Sequence, residues 1–201
     1  MYKTLGIDED VVRNEYNELF RKEIWDKLRD KIGVDLQRAR LRQAELYIIC
    51  KVVRPKVVVE TGVQHGISTT FILQALKDNG SGRLYSIDLP NVGEAPLPLG
   101  KQSGWLIPDK LKDSWTLRLG RSIDILPEVL KHLEEIEIFL HDSEHTYNTM
   151  MAEYRLAWPH LRPEGLLLSD DTGRNEAFLD FAKEVNHQPK WTIRGYGLLK
   201  R

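Results

Sequence analysis

Residues 56–68, Lys-Val-Val-Val-Glu-Thr-Gly-Val-Gln-His-Gly-Ile-Ser, constrain the fold more than any other segment of the chain. Three valines lead into Glu60, a turn containing Gly62 and Gly66 follows, and the next residues have the pattern of a helix. In a doubly wound α/β sheet, the first strand delivers the chain through such a turn to a ligand at its carboxyl end. The segment therefore predicts this fold, with a nucleotide-type cofactor beside the turn.

The acid at the end of this strand narrows the choice of cofactor. A dinucleotide places its pyrophosphate at this turn, where the carboxylate of Glu60 would repel it. A cofactor that has ribose hydroxyls and a positive charge, but no phosphate, suits Glu60 better. S-adenosylmethionine meets this description and NAD does not.

Composition excludes several kinds of partner. The chain has 201 residues, which favours one domain, and 29 basic against 30 acidic residues leave a net charge of −1. This balance provides no broad basic field for nucleic acid or for an anionic membrane. Cys50 is the only cysteine, which excludes an intramolecular disulfide and multi-cysteine zinc sites. Because no apolar run has the length of a membrane span or the pattern of a signal peptide, we expect a cytoplasmic protein.

Strand and helix patterns alternate along the chain after a helical beginning. The predicted helices are 8–32, 35–53, 68–77, 122–133, 146–161 and 175–186. The predicted strands are 57–60, 83–88, 115–119, 137–141 and 166–169, with a terminal hairpin of 191–194 and 197–200. This alternation favours a largely parallel sheet with right-handed crossovers. The predicted organisation is a single domain, 1–201, with a helical extension (1–54) before the α/β core (55–201).

Two segments leave alternatives open. The two N-terminal helices either pack on the sheet or on a second subunit, or form a lid over the site. Residues 89–113 form a long connection rich in proline and glycine, and such loops are usually functional or disordered. Within it, Trp105 either closes over a substrate or anchors the loop to the core.

Further cofactor contacts are predicted at the next two strand ends. Asp88 ends the second strand, where an acid accepts hydrogen bonds from the two ribose hydroxyls. Gly120-Arg121-Ser122 follows the third strand and leads into a helix, so its backbone could approach the adenine.

Acids also follow the fourth and fifth strands. Asp142 comes directly after one strand, and Asp170 and Asp171 come directly after the other. Since parallel neighbours end at the same edge, these three carboxylates are expected in one crevice. They cannot all stay ionised there without a compensating positive charge. Either a Mg²⁺ ion with oxygen ligands or a protonated neighbour such as His145 could provide it.

Two histidines flank Asp142. His145 lies three residues beyond it, so both side chains can reach one pocket, and an ordinary histidine pKa of about 6.5 suits a general base. A metal ion would instead bind a substrate hydroxyl and lower its pKa. His141 precedes Asp142 and is either buried or orients that aspartate, while His65 lies in the glycine turn and could touch the cofactor.

With these motifs, residues 57–181 resemble class I S-adenosylmethionine-dependent methyltransferases, and most closely methyltransferase family 24. The resemblance rests on Glu60-Thr61-Gly62 with Gly66-Ile67-Ser68, Ser86-Ile87-Asp88, Asp142-Ser143-Glu144-His145-Thr146-Tyr147 and Gly165-Leu166-Leu167-Leu168-Ser169-Asp170-Asp171. The first two motifs are shared by the whole superfamily, whereas the last two are more specific.

The resemblance implies a Rossmann-like, doubly wound sheet of seven strands, the last antiparallel. It implies that Glu60 and Gly62 lie near the methionine and ribose portions of the cofactor, and that Asp88 binds the ribose. It also implies roles taken from Mg²⁺-dependent sugar O-methyltransferases, with Asp142, Asp170 and Asp171 as metal ligands and His145 as base. The residues expected to bind S-adenosylmethionine are Glu60, Thr61, Gly62, Gly66, Ser68, Asp88, Gly120, Arg121, Ser122 and Asp142.

The sequence thus predicts an S-adenosylmethionine-dependent methyltransferase that acts on an oxygen of a small molecule, with His145 and Asp142 as catalytic residues. Self-association through the N-terminal helices is a further expectation. Two alternatives remain: a nicotinamide-dependent oxidoreductase, disfavoured because Gly-x-Gly-x-x-Gly is absent, and a non-catalytic cofactor-binding or assembly protein.

Overall fold

A seven-stranded sheet forms the centre of the protein, for which a computed structural model describes residues 9–20, 36–89 and 97–201. The strands are β1 (Val57–Thr61), β2 (Arg83–Asp88), β3 (Trp115–Leu119), β4 (Ile136–His141), β5 (Leu161–Ser169), β6 (Lys190–Trp191) and β7 (Gly197–Lys200). Their order across the sheet is β3-β2-β1-β4-β5-β7-β6, and β7 runs antiparallel to both of its neighbours. The predicted fold class is confirmed, including the antiparallel last strand.

Helices cover both faces of this sheet. They are α1 (Glu9–Phe20), α2 (Leu36–Val53), α3 (Ile67–Asn79), α4 (Ser122–Leu133), α5 (Tyr147–Ala157) and α6 (Ala177–Glu184). Strand residues alternate between two apolar clusters: Val58 faces the cluster containing α2 and α3, and Val59 faces the cluster containing α4, α5 and α6. Burial on both faces explains the continuous apolar runs of the central strands.

The second N-terminal helix is part of the core. Residues 44–50 of α2 are all buried, and Tyr47 and Ile48 belong to the same cluster as Phe71 of α3. Packing on the sheet is therefore the alternative that the structure supports for α2. The predicted end of the first helix at residue 32 and the predicted start of the second at residue 35 lie outside the described residues. Self-association through these helices stays a prediction.

One helix prediction was too long at its carboxyl end. The pattern predicted a helix over 146–161, but α5 ends at Ala157 and a 3₁₀ turn, Trp158–His160, follows. Pro159 has no backbone N–H to continue the helix. The chain then enters β5 at Leu161, which pairs with Ile136, five residues before the predicted start of the strand.

The long connection after β2 contains regular structure in its second half. Residues 90–96 lie outside the described part, while Asp109–Ser114 form a 3₁₀ helix that leads into β3. None of the described helices is long and apolar enough to cross a bilayer.

Candidate active site

The strand order reverses between β1 and β4, and this is where the predicted site residues meet. Backbone hydrogen bonds hold the ends of the strands side by side: Gly62 N–H to Ile87 O at 2.8 Å, Asp142 N–H to Thr61 O at 2.8 Å, and Asp170 N–H to His141 O at 2.9 Å. The residues after β1, β4 and β5 therefore form one continuous edge.

Gly62 is required by both its backbone and its surroundings. Its φ of +86° lies in the left-handed region, and a Cβ at this position would overlap the carbonyl of Asp142. Gly66, with φ +87°, precedes α3, and a Cβ there would crowd Ile107 and Gly104. The glycine turn thus brings the end of β1 against both the acidic edge and the long connection.

Glu60 is completely buried and holds three hydroxyl groups. Ser68 donates to its Oε1 at 2.7 Å, and Thr69 and Ser86 donate to its Oε2, both at 2.8 Å. Burial raises the pKa of Glu60 to about 7, and the hydroxyl donors limit this rise. Glu60 and Ser68, both predicted cofactor contacts, therefore bond to each other and tie α3 to β1 and β2.

Asp88 accepts hydrogen bonds from two parts of the chain. Its Oδ1 accepts the N–H groups of Val63 at 2.9 Å and Gln64 at 3.4 Å, and its Oδ2 accepts the hydroxyl of Ser103. Asp88, the predicted ribose contact, thus orders the turn after β1 and binds the long connection through Ser103. Sequence analysis did not identify Ser103, because only the folded connection brings it near Asp88.

The three residues after β3 that were predicted to lie near the adenine differ from one another in their surroundings. Gly120 donates its N–H to the carbonyl of Asp88 at 2.8 Å and has a φ of +147°. Arg121 is exposed, and Ser122 forms a side-chain hydrogen bond with Glu153 of α5. Gly120 therefore lies beside the predicted ribose contact, whereas the Ser122 hydroxyl is directed to another acid.

Trp105 of the long connection is held by a hydrogen bond to the turn after β1. Its Nε1 donates to Nδ1 of His65 at 2.9 Å, and the two residues that follow, Leu106 and Ile107, are buried. The structure therefore supports the anchoring alternative for Trp105. Burial lowers the pKa of His65, so this imidazole is neutral and able to accept the indole N–H.

His145 lies between the acids that follow β4 and β5. Its Nε2 is 4.0 Å from Oδ1 of Asp142 and 3.8 Å from Oδ2 of Asp171, and its side chain is 15% exposed. The side chain of Asn175 donates to the carbonyl of His145 at 3.0 Å. The structure therefore brings together Asp142, His145 and Asp171, three of the four side chains to which the sequence assigns catalytic or metal-binding roles.

The pKa of His145 is lowered to about 4, mainly by burial and to a smaller extent by His141 and Arg174. Asp171 and Glu153 act in the opposite direction. His145 is thus a neutral imidazole at neutral pH, with a pKa below the ordinary value that the sequence analysis assumed. A neutral imidazole is the form that can accept a proton.

The acidic side chains do not fit the predicted magnesium site of Asp142, Asp170 and Asp171. Oδ1 of Asp170 accepts the N–H of Asp171 at 2.8 Å, and Oδ2 of Asp171 pairs with Nε of Arg174 at 2.8 Å. Within the ranges described, no group of three or more His, Cys, Asp or Glu side chains is arranged to hold a metal ion. The guanidinium of Arg174, which sequence analysis did not identify, compensates Asp171 instead.

Glu153 is a further buried acid that sequence analysis missed. It lies on α5 and contacts Thr61, His141 and Ser143 beneath the strand ends. Its spacing of three from the buried Met150 places it on the inner face of the helix, and this was the available signal.

Fold and site together define a class I S-adenosylmethionine-dependent methyltransferase. A family model described as a methyltransferase domain, that of methyltransferase family 24, matches residues 59–172, more than half of the chain. The chain belongs to this family, and the resemblance seen in its motifs is confirmed. The two alternative functions, a nicotinamide-dependent oxidoreductase and a non-catalytic protein, are disfavoured by this membership.

Solved methyltransferase structures share the fold. CalS11, a calicheamicin methyltransferase, matches with a TM-score of 0.60 and 16% identity over 95% of this chain and 91% of its own. A protein from Klebsiella pneumoniae assigned as an O-methyltransferase matches with a TM-score of 0.57 and 16% identity over 98% and 91%. The SAH-bound methyltransferase PaMTH1 of Podospora anserina matches with a TM-score of 0.55 and 14% identity over 96% and 87%. A comparison with curated protein sequences gives no match.

Proposed function

We propose that this protein transfers the methyl group of S-adenosylmethionine to a hydroxyl oxygen of a small molecule, with His145 as the general base. The observation that carries the proposal is the position of His145 Nε2, 4.0 Å from Asp142 and 3.8 Å from Asp171 at the switch point of the sheet. A base at this edge is within reach of an acceptor presented to a cofactor on the β1 side.

The cofactor would lie across the ends of β1 and β2. Asp88 would bind the ribose hydroxyls after Ser103 gives up its hydrogen bond, and the Gly62 turn would allow close approach of the methionine portion. Glu60 would act mainly through the hydroxyls that it holds, because its carboxylate is fully buried. This arrangement suits a cofactor that has no phosphate group, as the sequence predicts.

The proposed reaction is an in-line displacement. As the acceptor oxygen attacks the methyl carbon, the bond from that carbon to sulfur breaks and S-adenosylhomocysteine leaves. The hydroxyl proton passes to Nε2 of His145, and the nearby carboxylates of Asp142 and Asp171 stabilise the imidazolium that forms. Holding acceptor and donor in line supplies much of the rate acceleration.

A small acceptor agrees with the charge of the chain. The net charge of −1 provides no field for a polyanionic substrate. Among the structures that share the fold, CalS11 is a calicheamicin methyltransferase, and the Klebsiella pneumoniae protein is assigned to oxygen chemistry.

The proposal is tested with radiolabelled S-adenosylmethionine and paired acceptors. Each phenol, sugar or aliphatic alcohol is compared with its O-methyl analogue and with the corresponding amine. We expect label to enter only acceptors with a free hydroxyl. Transfer to the amines but not to the alcohols would contradict oxygen as the acceptor, and tight NAD binding without S-adenosylhomocysteine binding would contradict the whole proposal.

The role of His145 is tested with a matched pair of histidine variants. His145→Gln is expected to reduce kcat by roughly 10²- to 10⁴-fold, the usual contribution of general acid–base catalysis. His132→Gln, at an exposed position on α4, is expected to leave kcat unchanged. Equal activity of the two variants would show that His145 is not the base.

A further inference from the structure

Glu153 is a carboxylate buried at the centre of a polar cluster behind the site. Its side chain has no exposure to solvent. Oε2 accepts the hydroxyl of Thr61 at 2.5 Å and lies 2.6 Å from Nδ1 of His141, while Oε1 accepts the hydroxyl of Ser143 at 2.6 Å. The cluster therefore connects α5 to the ends of β1 and β4.

Glu153 is ionised in this cluster. Burial alone would raise the pKa of Glu153, but His141 and the hydrogen bonds from His141, Ser122 and Ser143 bring it below the ordinary value. Burying a charged carboxylate costs several kcal/mol before its partners compensate, and an apolar residue of similar volume would fill the same space. A purely structural role therefore does not account for a charged side chain at this position, because an apolar one would avoid the desolvation cost.

Hydrogen bonds connect Glu153 to His145 through His141. An ionised carboxylate has only acceptor sites, so Nδ1 of His141 carries the proton that bridges to Glu153. Nε2 of His141 then lies 3.3 Å from Nδ1 of His145, with the two rings in edge contact at 76°. Which of these two nitrogens donates depends on the protons of His141: with a single proton, on Nδ1 toward Glu153, its Nε2 accepts the N–H of His145 Nδ1.

We propose that Glu153 and His141 are positioning residues that hold His145 in the tautomer protonated at Nδ1. In this tautomer, Nε2 of His145 carries a lone pair and faces Asp142 and Asp171. When Nε2 takes a proton, the Nδ1–H of His145 remains bonded to His141, whose own Nδ1–H remains bonded to Glu153. This inference rests on the proposed function for its catalytic meaning, but the tautomer itself is a property of the protein alone.

The tautomer is measured by NMR on the full chain with ¹⁵N-labelled histidine. The chain has six histidines, and His145→Gln and His141→Gln variants assign the two signals of interest. At pH 7 we expect His145 to have a protonated Nδ1 and an unprotonated Nε2. A His145 that is protonated at Nε2, or that exchanges between tautomers, would overturn the proposal without any test of activity.

Glu153→Gln tests the connection between the two ends of the cluster. An amide cannot accept at both terminal atoms, so this variant is expected to lose the tautomer preference of His145. Tyr154→Phe is the matched control, because it removes a buried hydroxyl bonded to Ser169 beside the same ring, yet leaves the three linked side chains intact. An unchanged His145 spectrum in Glu153→Gln, or an equal change in both variants, would contradict the proposal.

Kinetics separate this inference from the proposed function. With an accepted hydroxyl substrate, Glu153→Gln is expected to lower kcat roughly 10- to 100-fold with KM unchanged, as for other residues that orient a functional histidine. The predicted tautomer in a protein that methylates no hydroxyl would refute the proposed function alone. Methyl transfer by a His145 of the opposite tautomer would refute the positioning role alone.

Discussion

The hydroxyl of Ser103, in the long connection after β2, donates a hydrogen bond to Oδ2 of Asp88 at the end of that strand. The contact holds the connection against Asp88, the side chain that the sequence predicts to bind the two ribose hydroxyls. Under the proposed function, a ribose hydroxyl would compete with Ser103 for an acceptor site on Asp88.

Removing this competitor should tighten cofactor binding. A hydrogen bond to a charged group contributes about 1.5 kcal/mol or more, so Ser103→Ala is expected to lower the Kd of S-adenosylhomocysteine by about tenfold or more. Calorimetry measures the change, with Ser114→Ala, at the end of the 3₁₀ helix before β3, as the control. An unchanged or weaker affinity would show that Ser103 does not compete at Asp88.

A side chain at position 62 should destabilise the protein more than a side chain at position 195, a glycine with a similar φ but open surroundings. Gly62→Ala combines a left-handed φ with overlap of the Asp142 carbonyl, whereas Gly195, with φ +93°, has open space within 4 Å of the position that a Cβ would take. The backbone cost alone is about 1–3 kcal/mol. Denaturant unfolding should show Gly195→Ala destabilised by this amount and Gly62→Ala by clearly more. Equal losses would contradict the close approach of β1 and β4.

Glu60 should make the protein less stable as the pH rises. Because its pKa of about 7 in the folded state lies above the ordinary value, the folded protein binds more protons than the unfolded chain between about pH 4.5 and 7. The free energy of unfolding therefore decreases across this window, by at most about 3 kcal/mol for this group.

Glu60→Gln isolates this contribution. The difference in unfolding free energy between the wild type and Glu60→Gln should vary with pH across the window, while Glu135→Gln, at an exposed position, should show no such variation. A wild-type stability curve parallel to that of Glu60→Gln would mean that the pKa of Glu60 is not raised.

Magnesium should not stabilise the wild-type protein. The ion takes about six oxygen ligands, but Asp171 is paired with Arg174 and Asp170 is bonded to the N–H of Asp171. Thermal unfolding with millimolar MgCl₂, compared with EDTA, is expected to give the same Tm. A higher Tm with Mg²⁺ that disappears in Asp142→Asn would establish the metal site that the sequence predicted.

Much of the architecture is readable from local patterns. The strand, turn and helix of residues 56–68, and the acids at later strand ends, place the site at the correct edge, because parallel strands that are buried on both faces end together. The prediction was wrong beyond Ala157, where Pro159 ends the helix and the chain enters β5 early. Helical and strand periodicities are hard to distinguish in such a short apolar stretch.

The sequence by itself determined the fold class, the family and the meeting of Asp142, His145 and Asp171, since these depend on residue types at strand ends. Only the tertiary structure decided how each charge is compensated. Ser103 reaches Asp88, and Glu153 connects through His141 to His145. Burial and partners from distant segments set the ionisation of a side chain, and neither can be read from the residues beside it.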